Sequence, residues 1–230
     1  MAFSLCLPFQ TDHGPRARIA GWLARYYQAI CPEASVVIGG AGDDEAINRS
    51  RLRNRIVAET TSEVVLLVDA DCFVSRATIL LAVAQLSPVL ACVQCERAAY
   101  LSHDGTQALL ARAPSAETTM AASYIESKLA VCHGLFFAVR RESFDRVGGF
   151  DERFIGWGEE DDAFVIAMRM LSGHVARIPA TAYHLSHPRP PMAEIVASAN
   201  FQQNMALGQR YRQALRTQNA AAIRALVGER

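Results

Sequence analysis

Apolar positions along this chain switch between strand-like runs and helical spacing, and their order predicts an α/β fold. Phe3 to Leu7 is a short apolar run with strand character, closed by Pro8. After a loop at 11–15, Ile19, Trp22, Leu23 and Tyr26 recur among alanines at helical spacing, which predicts a helix over 16–30. Ser35 to Ile38 reads as a second strand, ended by Gly39-Gly40-Ala41-Gly42, and an arginine-rich helix follows over 47–59. Glu63 to Val68 is the clearest strand, because a continuous apolar run suits the centre of a parallel sheet covered on both faces. A helix at 76–86 and a strand at 89–93 complete β-α-β-α-β-α-β, the order of a Rossmann-like open sheet with helices on both faces.

The second half is less regular. Residues 97–131 are polar, then alanine-rich, and read only as partly helical. A strand at 135–139 and a short helix from Arg141 precede the Gly148-Gly149 turn. Ala163 to Met168, continuing through Met170 and Leu171, is apolar on nearly every side, as in a helix packed inside a protein. A strand near His174 to Ile178 follows, and from Met192 the chain is helical and amphipathic. With no internal repeat or low-complexity linker, the expectation is one domain over 1–190 with a helical extension, 191–230, packed on it.

Composition narrows the class. The 230 residues fit one large domain with a substantial core. The formal net charge is zero, so bulk electrostatics imply no nucleic-acid partner. No apolar run approaches the roughly 20 residues that span a bilayer, and the N-terminus lacks the basic start of a signal peptide. Of six scattered cysteines only Cys92 and Cys95 make a CxxC, with no second pair to complete a zinc site. Reduced, buried thiols in a cytoplasmic protein are expected. The glycine cluster at 39–42 has no following Lys-Ser/Thr and forms no GxGxxG, so it reads as a flexible loop.

The chemistry concentrates at Gly156-Trp157-Gly158-Glu159-Glu160-Asp161-Asp162, where four carboxylates open the buried helix. One or two acids complement a helix dipole, worth about 0.3–1 kcal/mol each; four adjacent ones repel each other and ask for another purpose. Asp69-Ala70-Asp71 ends the central strand, where open α/β sheets bind ligands. If the chain stays extended there, side chains at i and i+2 project to one side, so both carboxylates can address one cation. His184 and His187 supply imidazoles, and a mixed carboxylate and imidazole site suits manganese, with Mg²⁺ as the second choice. The arginines at 49, 51, 53 and 55 read mostly as a solvated basic face.

This combination resembles the inverting GT-A glycosyltransferases, closest to the β-1,4-galactosyltransferase family and its bacterial relatives. The likeness runs from Asp69-Ala70-Asp71, through Gly148-Gly149-Phe150-Asp151 and the Trp157-to-Asp162 block, to His184 and His187. Upstream, Pro8-Phe9-Gln10 is similar to the family's Pro-Phe-Arg, and Ile47 to Asn54 to its Phe-Asn-Arg-Ala-Lys-Leu-Leu-Asn. The resemblance implies a GT-A fold, a nucleotide-sugar donor and Mn²⁺ held by Asp71, His187 and His184. It implies donor contacts from Asp69, Arg49, Pro8, Phe9 and the position of Gln10. Trp157 and Gly158 would form the acceptor platform, with Asp161 as general base flanked by Glu160 and Asp162. The chain departs from the family at Gln10 (arginine there), Glu159 (glycine), Ala163 (an acid) and His184 (methionine in the animal enzymes), and around Cys132-His133-Gly134, so donor identity does not carry over.

The expected reaction moves a sugar from a UDP-type donor to an acceptor hydroxyl with inversion. A sugar-phosphate nucleotidyltransferase would show a glycine- and arginine-rich loop after the first strand, which Pro8-Phe9-Gln10 is not. A non-catalytic sugar-binding module would not need Asp69, Asp71, Asp161 and His187 together. The acceptor is left open.

Overall fold

The computed structural model describes residues 2–11, 13–40, 48–129 and 131–229. Strand β1 (Phe3–Phe9) leads through helix α1 (Pro15–Ile30) to β2 (Ser35–Gly40), and α2 (Arg49–Ala58) leads to β3 (Val64–Val68). Next come β4 (Cys72–Phe73), α3 (Arg76–Gln85), β5 (Leu90–Leu101) and α4 (His103–Leu110). A short turn of 3₁₀ helix precedes β6 (Ile125–Leu129), then β7 (Phe136–Arg140), α5 (Arg141–Arg146), α6 (Glu160–Leu171) and β8 (His174–His184). Three helices close the chain: α7 (Met192–Ala197), α8 (Ala199–Arg216) and α9 (Ala220–Gly228).

The sheet order is β2-β1-β3-β7-β5-β8-β4, with β6 paired to β5. β1 is parallel to β2 and β3, but β7 is antiparallel to both β3 and β5. The sheet is therefore mixed, not parallel throughout. The chain folds β6 back on the far end of β5 and enters β7 without a crossover helix, and an antiparallel neighbour needs none. The alternating strand faces feed two cores: Leu5, Leu7 and Leu66 pack with α1 and α3, while Cys6, Val65 and Leu67 pack with α2, α6 and α9. Helices on both faces are thus observed as the pattern predicts.

Several boundaries move. β5 runs to Leu101 and β8 to His184, each well past its apolar stretch, because they pair with each other along most of their length. Within 97–131 the described residues form the end of β5, α4, a loop, the 3₁₀ turn and β6. The arginine helix starts at Arg49, capped by the Asn48 side chain on Arg51 N; the predicted start at Ile47, and Ala41 and Gly42 of the glycine cluster, lie outside the described residues. Gly39 and Gly40 belong to β2. All six cysteines are buried and unpaired. Among the described residues no helix is long and apolar enough to cross a membrane.

Helix α6 is the element that positions the acids. Phe164 stacks on Phe150 with ring centroids 4.0 Å apart, and Phe137 meets both edge-on. Each buried ring contributes about 1.5–3 kcal/mol, so the helix is fixed along its apolar length and its first turn is aimed outward. α8 and α9 cover its other side, with Tyr211 and Ile223 fully buried against that core.

Candidate active site

The carboxyl ends of the strands open into one cleft. β3 does not continue extended past Val68. Asp69 N bonds Leu135 O, and Cys72 N turns back to Asp69 O at 2.8 Å. This tight turn replaces the extended course expected there and gives the two aspartates different partners. Asp71 turns toward the histidines, and Asp69 accepts from Arg53 Nη2 at 2.9 Å.

Backbone pairing brings the histidines to Asp71. Cys72 lies opposite His184 in the β4–β8 ladder, and Leu185 N bonds Asp71 O at 2.8 Å. His184 Nε2 is 3.6 Å from one Asp71 oxygen and His187 Nε2 3.2 Å from the other. One ligand atom from each of the three residues lies within 4.8 Å of the others. The His187 Nδ1 sits 2.9 Å from the Pro188 carbonyl, which only accepts, so Nδ1 carries the hydrogen and Nε2 faces the cluster. That carbonyl-oriented imidazole is the arrangement metal-ligating histidines adopt. His184 Nδ1 is buried without a hydrogen-bond partner. Burial lowers the His184 pKa despite the Asp71 charge, favouring the neutral form that binds metals. Burial opposes ionisation of Asp71, yet its neighbours His187, His184 and Arg16 hold its carboxyl well below the usual range. A hard carboxylate with two imidazoles fits a divalent transition ion.

Across the cleft, the four consecutive acids do not behave as a group. Gly158 (φ 108°) and Glu159 (φ 73°) both turn through the left-handed region before α6 begins at Glu160. Glu159 points back to Arg212 of α8 in an ion pair, which holds a non-glycine residue in that strained conformation. Glu160 is buried, accepts from Gly158 N at 3.1 Å and lies 3.4 Å from Arg49 Nη1. Asp161 lies 2.9 Å from Arg53 Nη1, with 21% of its side-chain surface open to the cleft. Asp162 is half exposed beside His133 Nδ1 at 3.1 Å. The repulsion expected of four adjacent carboxylates is thus relieved by four different partners. Burial, with the charges of Glu160 and Asp69, pushes Asp161 up to about 7 against the opposing pull of Arg53 and Arg49. Gly134 (φ 71°) packs so closely that any Cβ there would strike the Asp161 carboxylate.

The cleft between cluster and acids measures about 480 Å³. Its outer wall comes from α8: Phe201 stacks on Trp157 at 5.9 Å and 17°, Met205 lies beside them, and the buried Asn204 amide donates to the carbonyls of Ile155 and Trp157. A smaller hollow of about 90 Å³ at the end of β1 is bounded by Pro8, Gln10, Arg16, Arg49, Asp69 and Asp71.

A family model described as the N-terminal domain of galactosyltransferase matches residues 116–189, which hold the acids and both histidines. Another, described as glycosyl transferase family 2, matches residues 47–148, which hold the arginine helix, Asp69 and Asp71. Among solved structures, a mannosyltransferase from Pyrobaculum calidifontis in complex with GDP-Man and Mn²⁺ aligns over 98% of this chain at 17% identity, TM-score 0.59. TarS from S. aureus with UDP-GlcNAc aligns over 90% at 15% identity, TM-score 0.55. A Drosophila β-1,4-galactosyltransferase 7 complex with manganese, UDP-Gal and xylobiose aligns over 86% at 14% identity, TM-score 0.50. The chain has the GT-A glycosyltransferase fold. No curated protein matches the sequence. The chain spans 68%, 65% and 79% of those three chains, and 64% of a xylobiose complex of the Drosophila enzyme.

Most residues singled out from the sequence meet in this cleft: Asp69, Asp71, His184, His187, Arg49, Trp157, Gly158, Glu160, Asp161 and Asp162 all line it. Pro8 and Gln10 line the adjoining hollow, whereas Phe9 lies under the Arg16 guanidinium, 5.8 Å from its ring centre. Sequence reasoning missed Arg53, assigned to a solvated face but only 2% exposed. Its position was readable: it stands three and four residues before the buried Ile56 and Val57, on the helix face that meets the core. Arg16, 4.0 Å from Asp71, and the α8 wall were also missed, since nothing local marks either.

Proposed function

We propose that this transferase moves a sugar, with inversion, from a UDP-type donor to an acceptor hydroxyl, using Mn²⁺ at Asp71, His184 and His187 and Asp161 as base. The carrying observation is the pairing, across one cleft, of a carboxylate pushed up to about 7 with a three-ligand cluster. A base is most effective when its pKa lies near the working pH. Asp161 takes the proton as the acceptor O–H bond breaks and the new oxygen–carbon bond forms at the anomeric carbon. The bond to the diphosphate breaks on the opposite face, its electron pair leaving with the phosphate oxygen. A divalent ion, when bound, neutralises charge on that diphosphate. Asp69, Arg49, Pro8, Phe9 and Gln10 would hold the donor, and Trp157 with Gly158 the acceptor, an indole face suiting the apolar face of a sugar.

Residues 1–190 form the transferase domain in this reading and 191–230 an extension packed on it, supported by the Asn204, Phe201 and Arg212 contacts. Six buried thiols support a cytoplasmic setting. The test is Mn²⁺-dependent hydrolysis of UDP-Gal, UDP-GlcNAc and GDP-Man by the purified chain. Consumption of one, abolished by EDTA, is expected. Pyrophosphate release from a nucleoside triphosphate and a sugar phosphate, with no hydrolysis, would make it a nucleotidyltransferase instead.

Two further outcomes are expected. His184→Ala and His187→Ala each raise the Mn²⁺ concentration for half-maximal hydrolysis; a response from only one would reduce the ligand set to that one. Trp157→Ala and Phe201→Ala leave donor binding intact in calorimetry and raise the acceptor KM. Each removes an aromatic contact worth about 0.5–1.5 kcal/mol beyond its area, so about three- to tenfold is expected. A change in donor affinity instead would move the aromatic pair to the donor side.

A further inference from the structure

Arg53 is among the largest fully buried side chains, and it is charged. Its guanidinium lies over the Phe150 ring, 4.9 Å from the centroid, and divides its two ends between the halves of the site. Nη2 donates to Asp69 at 2.9 Å, while Nη1 lies 2.9 Å from Asp161 Oδ1 and 3.6 Å from Glu160 Oε1. Burial works against this charge, and the carboxylates of Asp161, Asp69 and Glu160 outweigh it, so Arg53 stays protonated. In the helix motif that this segment resembles, the position carries leucine.

The contact with Asp161 has an unusual quality. Neither Arg53 Nη1 nor Asp161 Oδ1 makes a hydrogen bond, although both are buried and adjacent. A hydrogen bond to that oxygen would use a lone pair and weaken it as a proton acceptor. A close but misaligned cation stabilises the anion while leaving the lone pair open. The other charges facing Asp161 are Glu160 on its own helix, Arg49 on α2 and Asp69 beyond β3, with the Cys132 thiol on the loop before β7, where the neighbouring His133 pairs with Asp162. Of the two arginines, only Arg53 is buried and in contact.

We propose that Arg53 is a positioning residue that keeps Asp161 ionised and oriented for proton removal while anchoring the donor-side Asp69 with the same side chain. The catalytic half of this statement rests on Asp161 being the base. Without the guanidinium, three carboxylates share the buried space with one half-exposed arginine. Asp161 then holds its proton to higher pH.

The experiment follows the Asp161 carboxyl carbon by NMR over a pH series, on the full chain in Mg²⁺ buffer, assigned with Asp161→Asn. It compares wild type with Arg53→Met, Arg53→Lys and Arg53→Gln, and repeats the series for hydrolysis of the nucleotide sugar that wild type consumes. An opposite charge at this range lowers a carboxyl by about 1–3 units, so Arg53→Met moves the titration up by about 1–3 pH units and Arg53→Lys lies between. The acid limb of hydrolysis moves with it. An unchanged Asp161 titration in Arg53→Met, with a uniformly lower rate, overturns the proposal and leaves Arg53 a structural ion pair. If Arg53→Met does not fold, Arg53→Gln, which keeps an amide without charge, decides in the same way. A titration that shifts while the hydrolysis limb stays fixed upholds the positioning and removes Asp161 as the base.

Discussion

Asp161→Asn lowers transfer by about 10²–10⁴-fold, the usual contribution of a positioned base, without lowering the melting temperature at pH 8. The rate effect follows because asparagine keeps the size of the side chain and cannot take a proton. The stability effect follows from the raised pKa. Asp161 goes from 3.8 to about 7 on folding, so between those values the native chain holds a proton that the unfolded chain has released. Stability from this group is therefore fully present below the lower value and lost as pH rises through the higher one. Asparagine escapes that loss, so the variant is at least as stable as wild type above neutrality. A capping role predicts the reverse: near-normal turnover and up to about 1 kcal/mol of lost stability from the helix dipole. No side chain caps the first turn of α6, which already weakens that alternative. Transfer rate and melting temperature on one sample discriminate, and near-wild-type transfer with a lowered melting point would end the base assignment.

Asp71→Ala abolishes Mn²⁺-dependent binding of UDP and lowers transfer by about 10³-fold or more, since metal stabilisation of a developing charge is worth several kcal/mol. Asp71 is the central member of the cluster: both imidazoles approach it, one at each oxygen. It also ties β4 to the chain after β8 through its backbone, and alanine preserves that bond from Leu185. The fold should survive. In calorimetry, the variant in Mn²⁺ should match wild type in EDTA, and the two must agree for the same nucleotide. Undiminished Mn²⁺-dependent affinity in the variant would take Asp71 out of the metal site and leave its two histidines as an ordinary buried network.

The site was legible where its chemistry is written in consecutive residues. The Trp157-to-Asp162 block announced itself through a local excess of charge that a helix terminus alone does not require. What the block could not reveal was that its members face four ways: Glu159 to α8, Glu160 to a backbone amide and Arg49, Asp161 to Arg53, and Asp162 to the cleft mouth. Side-chain direction in a turn depends on φ at each residue, and the left-handed values at Gly158 and Glu159 are set by what packs around them. Asp69-Ala70-Asp71 misled for the same reason. An extended chain puts i and i+2 together, whereas the hydrogen bond from Cys72 N to Asp69 O closes a turn after which Asp69 meets Arg53 and Asp71 the histidines.

By itself the sequence determined the strands and helices of the first ninety or so residues and the acid-led helix, because period and apolar run length act locally, while 97–131, with no clear period, stayed unassigned. It also determined that an acidic block, an aspartate pair and two histidines had to find polar company at the sheet's carboxyl edge. Only the tertiary structure decided the antiparallel course of β7, the length of β5 and β8, and the meeting of Asp71 with His184. Those depend on pairing between strands far apart in the chain, where no local preference operates. The same holds for Arg53, whose sequence context is a row of arginines and whose environment is an aromatic ring and three carboxylates. A buried charge is tolerated only where its partners already stand, and those partners come from the turn after β3 and from the first turn of α6, far apart in the chain and brought to one point.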